Sequence, residues 1–290
     1  MFFIIGNPRS GTSLFRLLLT SHSKVHIPPE CGFMLWWHQK YQKWDVDFSK
    51  THLSNFLDDL FAAKKFEFWN LDREALSKEI QRGQPKNYAQ LCELIYDFHR
   101  NEHSPSATTI GDKNNFHLNH IEDLNQLYPD AKFIHIIRDG RDVATSYIDM
   151  SKIDSSSDYR PRLPTHIADI AKEWRKNIQS VMDGFSKLPR IKTLEIRYED
   201  LVTDTEKTLT AICKHLGLEY ENGMLEFYTN NQANKLEPDE FMAWKARTRG
   251  KIDRSAIGKW KALSDTDIKA FEDITHDILS RYNYELLEIN

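Results

Sequence analysis

Residues 2–5, Phe-Phe-Ile-Ile, form an unbroken apolar run that stops at Gly6-Asn7-Pro8. A strand buried on both faces reads this way, because both sides of its pleat meet a core. From Thr12 to Thr20, Leu14, Leu17 and Leu18 recur at helical spacing, so the chain opens strand, glycine-bounded loop, helix. Lys24–Ile27 predicts a second short strand, ended by Pro28-Pro29. Ala107–Gly111 predicts a strand leading into Asp112-Lys113, and Asn115–Tyr128 a helix closed by Pro129. Residues 131–137, Ala-Lys-Phe-Ile-His-Ile-Ile, give the clearest strand in the chain. Asp139 then opens a helix through Val143, Tyr147 and Met150, and Ser155-Ser156-Ser157 marks a loop. A long helix over Thr165–Phe185, a strand over Ile191–Ile196 and helices over Thr205–Leu216 and Asp265–Tyr282 complete the pattern. Strands alternating with helices imply an α/β fold with a mainly parallel sheet of about five strands covered on both faces.

Between about residues 32 and 106 the pattern is helical, amphipathic and rich in aromatics, among them Trp36, Trp37, Tyr41, Trp44, Phe56, Phe66 and Trp69. We read it as a helical insertion capping the acceptor side of the sheet, within one domain spanning 1–290. Most of these rings belong to a core. Trp36, Trp37 and Trp44 are weak candidates for stacking on a sugar or another ring.

The chain has 290 residues and a formal net charge of −4. Such a balance gives no global attraction for nucleic acid or an acidic membrane, so an anion site has to come from local clustering. The three cysteines, Cys31, Cys92 and Cys213, are far apart and form no CxxC pair, which argues against a disulfide framework or a zinc site. The apolar start lacks the basic flank and length of a signal peptide or membrane anchor. A cytoplasmic protein without membrane insertion is expected.

The segment Gly6-Asn7-Pro8-Arg9-Ser10-Gly11-Thr12-Ser13 has P-loop glycine spacing, between a buried strand and a helix. Glycines let backbone N–H groups converge on an anion, and the helix start adds unpaired donors and partial positive charge. Thr12 and Ser13 stand where a triphosphate-binding loop carries Lys then Ser/Thr, and Arg9 is the cation inside the loop. The site therefore suits a smaller 5′ anion. A P-loop kinase-like phosphotransferase, with Asp112 as the metal-holding carboxylate, is the first alternative, and the missing lysine counts against it. A non-catalytic nucleotide-binding protein is the second.

The loop resembles that of the sulfotransferase superfamily, nearest the branch of tyrosylprotein and bacterial sulfotransferases. The resemblance implies a P-loop-type three-layer fold and transfer of a sulfuryl group from 3′-phosphoadenosine 5′-phosphosulfate to an acceptor hydroxyl without a metal. It implies that Arg9, Ser10, Gly11, Thr12 and Ser13 hold the 5′-phosphosulfate. Glu30, about twenty residues on in Ile27-Pro28-Pro29-Glu30, corresponds to the family's catalytic base, and Lys113 to its catalytic lysine, with Arg9 a second cation for the leaving phosphate.

In a parallel α/β sheet, ligands bind beyond the carboxyl ends of the strands. Arg138, which follows Ile134–Ile137, is thereby delivered to the edge that carries the phosphate loop. The resemblance assigns Arg138 and Ser146 to the 3′-phosphate, and a guanidinium fork suits that dianion. The branch has a further arginine one turn past the serine, where this chain has Met150. Tyr198, in Tyr198-Glu199-Asp200-Leu201, resembles the family's adenine-contacting tyrosine. Residues 245–261 hold seven basic side chains against Asp253 alone, which asks for an anionic partner. Within them Gly258-Lys259-Trp260 resembles the loop over the 3′-phosphate and adenine. Trp260 packs either on the adenine or on the core beneath, and the branch's catalytic serine is replaced by Gly258, with Ser255 close by. The acceptor class stays open among carbohydrate, small molecule and peptidyl tyrosine.

Overall fold

The computed structural model describes residues 1–44, 50–153 and 157–287. Of the expected serine loop, Ser155 and Ser156 lie outside the described residues. Five strands are present: β1 (Phe2–Ile5), β2 (Val25–His26), β3 (Thr109–Lys113), β4 (Lys132–Ile137) and β5 (Thr193–Arg197). They lie in the order β2-β3-β1-β4-β5, and every pairing is parallel. Chain order reverses on either side of β1, which makes the edge beyond its carboxyl end the topological switch point. Register sets the neighbours there. Ile4 pairs with Lys113 and with Ile134, Ile5 with His135, and Ile137 with Arg197. The phosphate loop, Lys113, Arg138 and Tyr198 thus leave the sheet along one edge.

The apolar run of β1 feeds two cores, as a period of two requires. Phe3 and Ile5 enter one cluster with Phe33, Phe56, Trp69 and Tyr96. Phe2 and Ile4 enter the other with Leu17, Leu18, Ile134 and Ile212. Helices from the aromatic segment, including Lys50–Phe61, Arg73–Gly83 and Tyr88–His103, form the first of these layers. A third cluster joins the Gly140–Ser151, Ile167–Ser186 and Asp265–Arg281 helices through Val143, Tyr147, Trp174 and Phe271.

Several elements differ from the expected boundaries; β5, for one, starts at Thr193 rather than Ile191, after a 3-10 turn over Arg190–Lys192. In place of one helix over 115–128 there is a 3-10 turn, Asn115–Asn119, and then a helix, Ile121–Leu127. Asn114 accepts a hydrogen bond from the Phe116 N–H at 3.0 Å, and His120 leaves helical geometry at φ −131°. Short polar side chains that bond their own backbone compete with an α-helix in this way. Strand β3 also starts two residues late and runs through Asp112 and Lys113, both buried. Hydropathy ends a strand at two charges, whereas here the ammonium has a carboxylate to meet.

Candidate active site

The phosphate loop is held in an uncommon conformation. Arg9 has φ 68° and Gly11 φ 90°. A Cβ on Gly11 would come within 2.4 Å of the Tyr198 ring, so both the left-handed backbone and the close approach of that ring require glycine. The Thr12–Thr20 helix starts at Gly11 with no side-chain cap, which leaves first-turn N–H groups without partners inside the helix. The Ser10 hydroxyl is buried and has no hydrogen-bond partner. Behind the loop, the Asn7 amide donates to Tyr147 Oη at 3.1 Å, and Asn177 donates to Asn7 Oδ1 at 2.7 Å. The loop is fixed from the rear.

In front of it lies a cavity of about 640 Å³, and Arg9, Glu30, Lys113, Arg138, Ser146 and Tyr198 all line it. Gly11, Thr12, Ser13 and Lys259 also reach its wall. The Arg9 Nε donates to Ser146 Oγ at 3.0 Å and its Nη1 to the Trp244 carbonyl at 3.1 Å. Arg138 donates to the carbonyls of Arg9 (3.0 Å) and Ala256 (2.5 Å), stacks 4.7 Å from the Tyr198 ring, and keeps a buried Nε without a partner. Among the described residues no carboxylate forms an ion pair with either guanidinium. Burial, reinforced by Arg138, pushes the Arg9 guanidinium down to about 10. Two cations left without counter-charge in one cavity wall are a site for anions. The wall carries ten basic and four acidic side chains, against the −4 of the whole chain.

At the other end sits Glu30. Pro28-Pro29 ends β2, the Trp69 indole N–H donates to the Pro29 carbonyl at 2.9 Å, and the carboxylate lies 3.2 Å from Lys113 Nζ and 3.5 Å from Lys65 Nζ. Burial alone would raise its pKa, but Lys113, Lys65 and Lys245 hold it far below the ordinary carboxylate range. Lys245 is itself largely withdrawn from solvent, its side chain 12% exposed, and pairs with Glu237 at 2.8 Å.

Several expected contacts are placed elsewhere. Ser10 is buried behind the loop, and neither its side chain nor Gly258 and Trp260 form part of the cavity wall. Trp260 is the core-packed alternative: its indole lies 3.6 Å from the Arg141 guanidinium, which Asp139 and Glu272 clamp at 2.7 and 2.5 Å. The backbone N–H groups of Gly258 and Trp260 donate to Asp142 at 2.8 and 2.9 Å. Ser255 bonds Asp253 and is absent from the wall. Trp36, Trp37 and Trp44 do not line the cavity either. Trp44 is buried in the core, Trp37 packs on it, and Trp36 covers Gly32 at 39% exposure. From that segment Lys64 and Lys65 reach the wall instead. No motif marks these two or Glu237; the Lys64-Lys65 pair between Ala63 and Phe66 is the one local signal of them in the sequence.

A strand–loop–helix phosphate cradle and an arginine from the next strand, facing one cavity at the switch point of a parallel sheet, define a nucleotide-using transferase of the P-loop type. The family model described as "Sulfotransferase family" matches residues 2–222, and the chain belongs to that family. Protein-tyrosine sulfotransferase 2 of Gallus gallus is 26% identical over 98% of this chain and 69% of its own length. Among solved structures, the sulfotransferase domain of the Synechococcus PCC 7002 olefin synthase matches with TM-score 0.64 and 22% identity, covering 99% of this chain and 95% of that one. Mouse sulfotransferase SULT7A1 complexed with PAP matches with TM-score 0.53 and 13% identity, over 97% and 84% of the two chains.

Proposed function

We propose that this sulfotransferase takes its sulfuryl group from 3′-phosphoadenosine 5′-phosphosulfate and passes it to an acceptor hydroxyl, with Glu30 as the base. The observation that carries the reading is the pair of guanidiniums, half-buried Arg9 and buried Arg138, facing one cavity with no carboxylate partner among the described residues. The adenosine bisphosphate product has a phosphate at each end of its ribose, and two such cations suit it. The PAP in the mouse neighbour is consistent with this.

In the reaction the acceptor oxygen bonds to sulfur as the bond from sulfur to the 5′-phosphate oxygen breaks. The hydroxyl proton passes to Glu30, and the electron pair of the broken bond stays on the phosphate oxygen, where Lys113 and Arg9 meet the growing charge. Lys113 starts in an ion pair with Glu30. As it turns toward the leaving oxygen, one of the cations holding the carboxyl down moves away, so Glu30 becomes more basic when a base is needed. Gly11 and Tyr198 shape the adenine side, and Lys259 with the neighbouring basic residues faces the 3′-phosphate. The chicken relative's name makes a tyrosyl hydroxyl one reasonable acceptor.

Calorimetric titration with adenosine 3′,5′-bisphosphate and with ATP, each with and without magnesium, tests the donor. Bisphosphate binding that ignores magnesium is expected. Tighter binding of magnesium-ATP would overturn the reading. Release of bisphosphate from the donor, measured over a tyrosyl peptide, a phenol and a sugar, then identifies the acceptor class.

A further inference from the structure

One largely enclosed cation beside Glu30, Lys245, has no part in the reaction above. Lys245 Nζ and Lys65 Nζ converge on one ring, 4.7 and 5.5 Å from the centroid of Phe241. Lys65 pairs with Glu30, so Lys245 stands close to the pair formed by Glu30 and its lysines, near enough to act on the Glu30 charge. Glu237 holds Lys245 through one oxygen and Arg16 through the other, at 3.1 Å. Arg16 lies on the helix that begins at the phosphate loop, and also donates to the carbonyls of Ile27 (3.2 Å), Pro28 (3.4 Å) and Leu236. One buried relay thus connects the phosphate-loop helix, the segment presenting Glu30 and the lysine.

Burying an ammonium is costly unless it is paired, and here one carboxylate serves two cations. The surplus positive charge sits on the wall of the cavity that Glu30 and Lys113 also line. Lys113 and Lys65 are engaged with Glu30, and Arg9 and Arg138 face the phosphates. The sulfuryl oxygens need a cation of their own, because charge spreads over them as the group passes between two oxygens. We propose, resting on the donor assigned above, that Lys245 is a further catalytic residue that contacts the sulfuryl oxygens, with Glu237 and Arg16 as its positioning residues.

The lysine's environment gives this role a pH signature. Burial pushes its pKa down to about 8, with Glu237 opposing the shift and Lys113 adding to it. Glu30, Lys65 and Arg16 are the other charged groups around it. Below that value the ammonium is charged and its contribution is complete; it is lost as pH rises through it.

Adenosine 3′,5′-bisphosphate lacks the sulfuryl group, so the ratio of donor affinity to bisphosphate affinity isolates a contact to that group, and no acceptor is needed. We expect the wild-type ratio to fall about tenfold as pH rises from about 7 to about 9.5, a range in which phosphate monoesters are already dianionic. Lys245→Arg, charged throughout, should flatten the profile, and Lys245→Met should hold the ratio at its low alkaline level at every pH. A pH-independent wild-type ratio, or equal losses for both ligands in Lys245→Met, would overturn the role of Lys245 and leave the donor assignment standing. If wild type binds no bisphosphate, both fall together.

Discussion

Glu30 shows how far a residue's chemistry depends on its neighbours. A carboxylate among three ammoniums is ionised and can accept a proton, yet so well stabilised that it is a poor base until one of those cations leaves it. Glu30→Gln keeps shape and hydrogen-bonding capacity but removes both the proton acceptor and the counter-charge of Lys113 and Lys65. Turnover should drop by at least about a hundredfold, while bisphosphate affinity, set at the Arg9–Arg138 end, should stay close to wild type. Near wild-type turnover with intact donor binding would remove Glu30 from the reaction. The substitution also leaves buried lysines without their carboxylate, so some loss of thermal stability should accompany it. That loss appears in the melting temperature and is separable from the rate.

At the scale of elements, the turn and helix that follow β4 work as a joint. Arg138 faces the cavity, and four residues later Asp142 accepts the backbone N–H groups of Gly258 and Trp260. The basic C-terminal loop is thereby fastened to the helix that carries Ser146. An asparagine at 142 would offer one acceptor oxygen and set an amide donor against the second N–H. Asp142→Asn should therefore loosen the loop and weaken bisphosphate binding about tenfold, since hydrogen bonds to a charged acceptor are each worth about 1.5–3 kcal/mol. Calorimetry of Asp142→Asn against wild type is the check; unchanged affinity would mean that the loop does not serve the nucleotide. The same joint marks the limit of what the sequence shows. The strand–loop–helix start and the β4 strand are local patterns, and they put the phosphate loop and Arg138 on one edge of the sheet; Glu30, Lys113 and Ser146 are legible only through the family resemblance, and all of them line the cavity. That Trp260 stacks on Arg141 depends on contacts more than a hundred residues apart in the chain, which no local period records. The Arg16–Glu237–Lys245 relay is hidden for the same reason. Its one local trace is an arginine amid Phe15, Leu17, Leu18 and Leu19, buried with them.

Across the whole molecule, the cavity is built from unequal parts. Its floor is the carboxyl edge of a sheet packed between two large cores, to which β1 alone contributes four buried side chains. Its far wall, from Phe241 to Thr248, rests on a satellite cluster of Met150, Phe241 and Trp244 with a few partly buried neighbours. Polar ties fasten this wall to the rest, among them the Arg9 guanidinium to the Trp244 carbonyl, Lys245 to Glu237 and the Asn231 amide to the Thr248 carbonyl. Segments with little buried apolar contact open locally at lower free energy than the core. Amide hydrogens of residues 241–248 should therefore exchange well before those of β1 and β4. A ligand that bridges floor and wall stabilises the closed arrangement by mass action, by about 2.7 kcal/mol at a hundredfold excess over its dissociation constant. Adenosine 3′,5′-bisphosphate should accordingly slow exchange most at the phosphate loop and at residues 241–261, and raise the melting temperature by about 5 °C. Protection confined to the Tyr88–His103 helix or the Lys50–Phe61 helix, neither of which lines the cavity, would place the nucleotide outside it. Protection of the phosphate loop without the wall would instead mean that the 241–248 segment serves the acceptor alone, because the floor by itself would then hold the nucleotide.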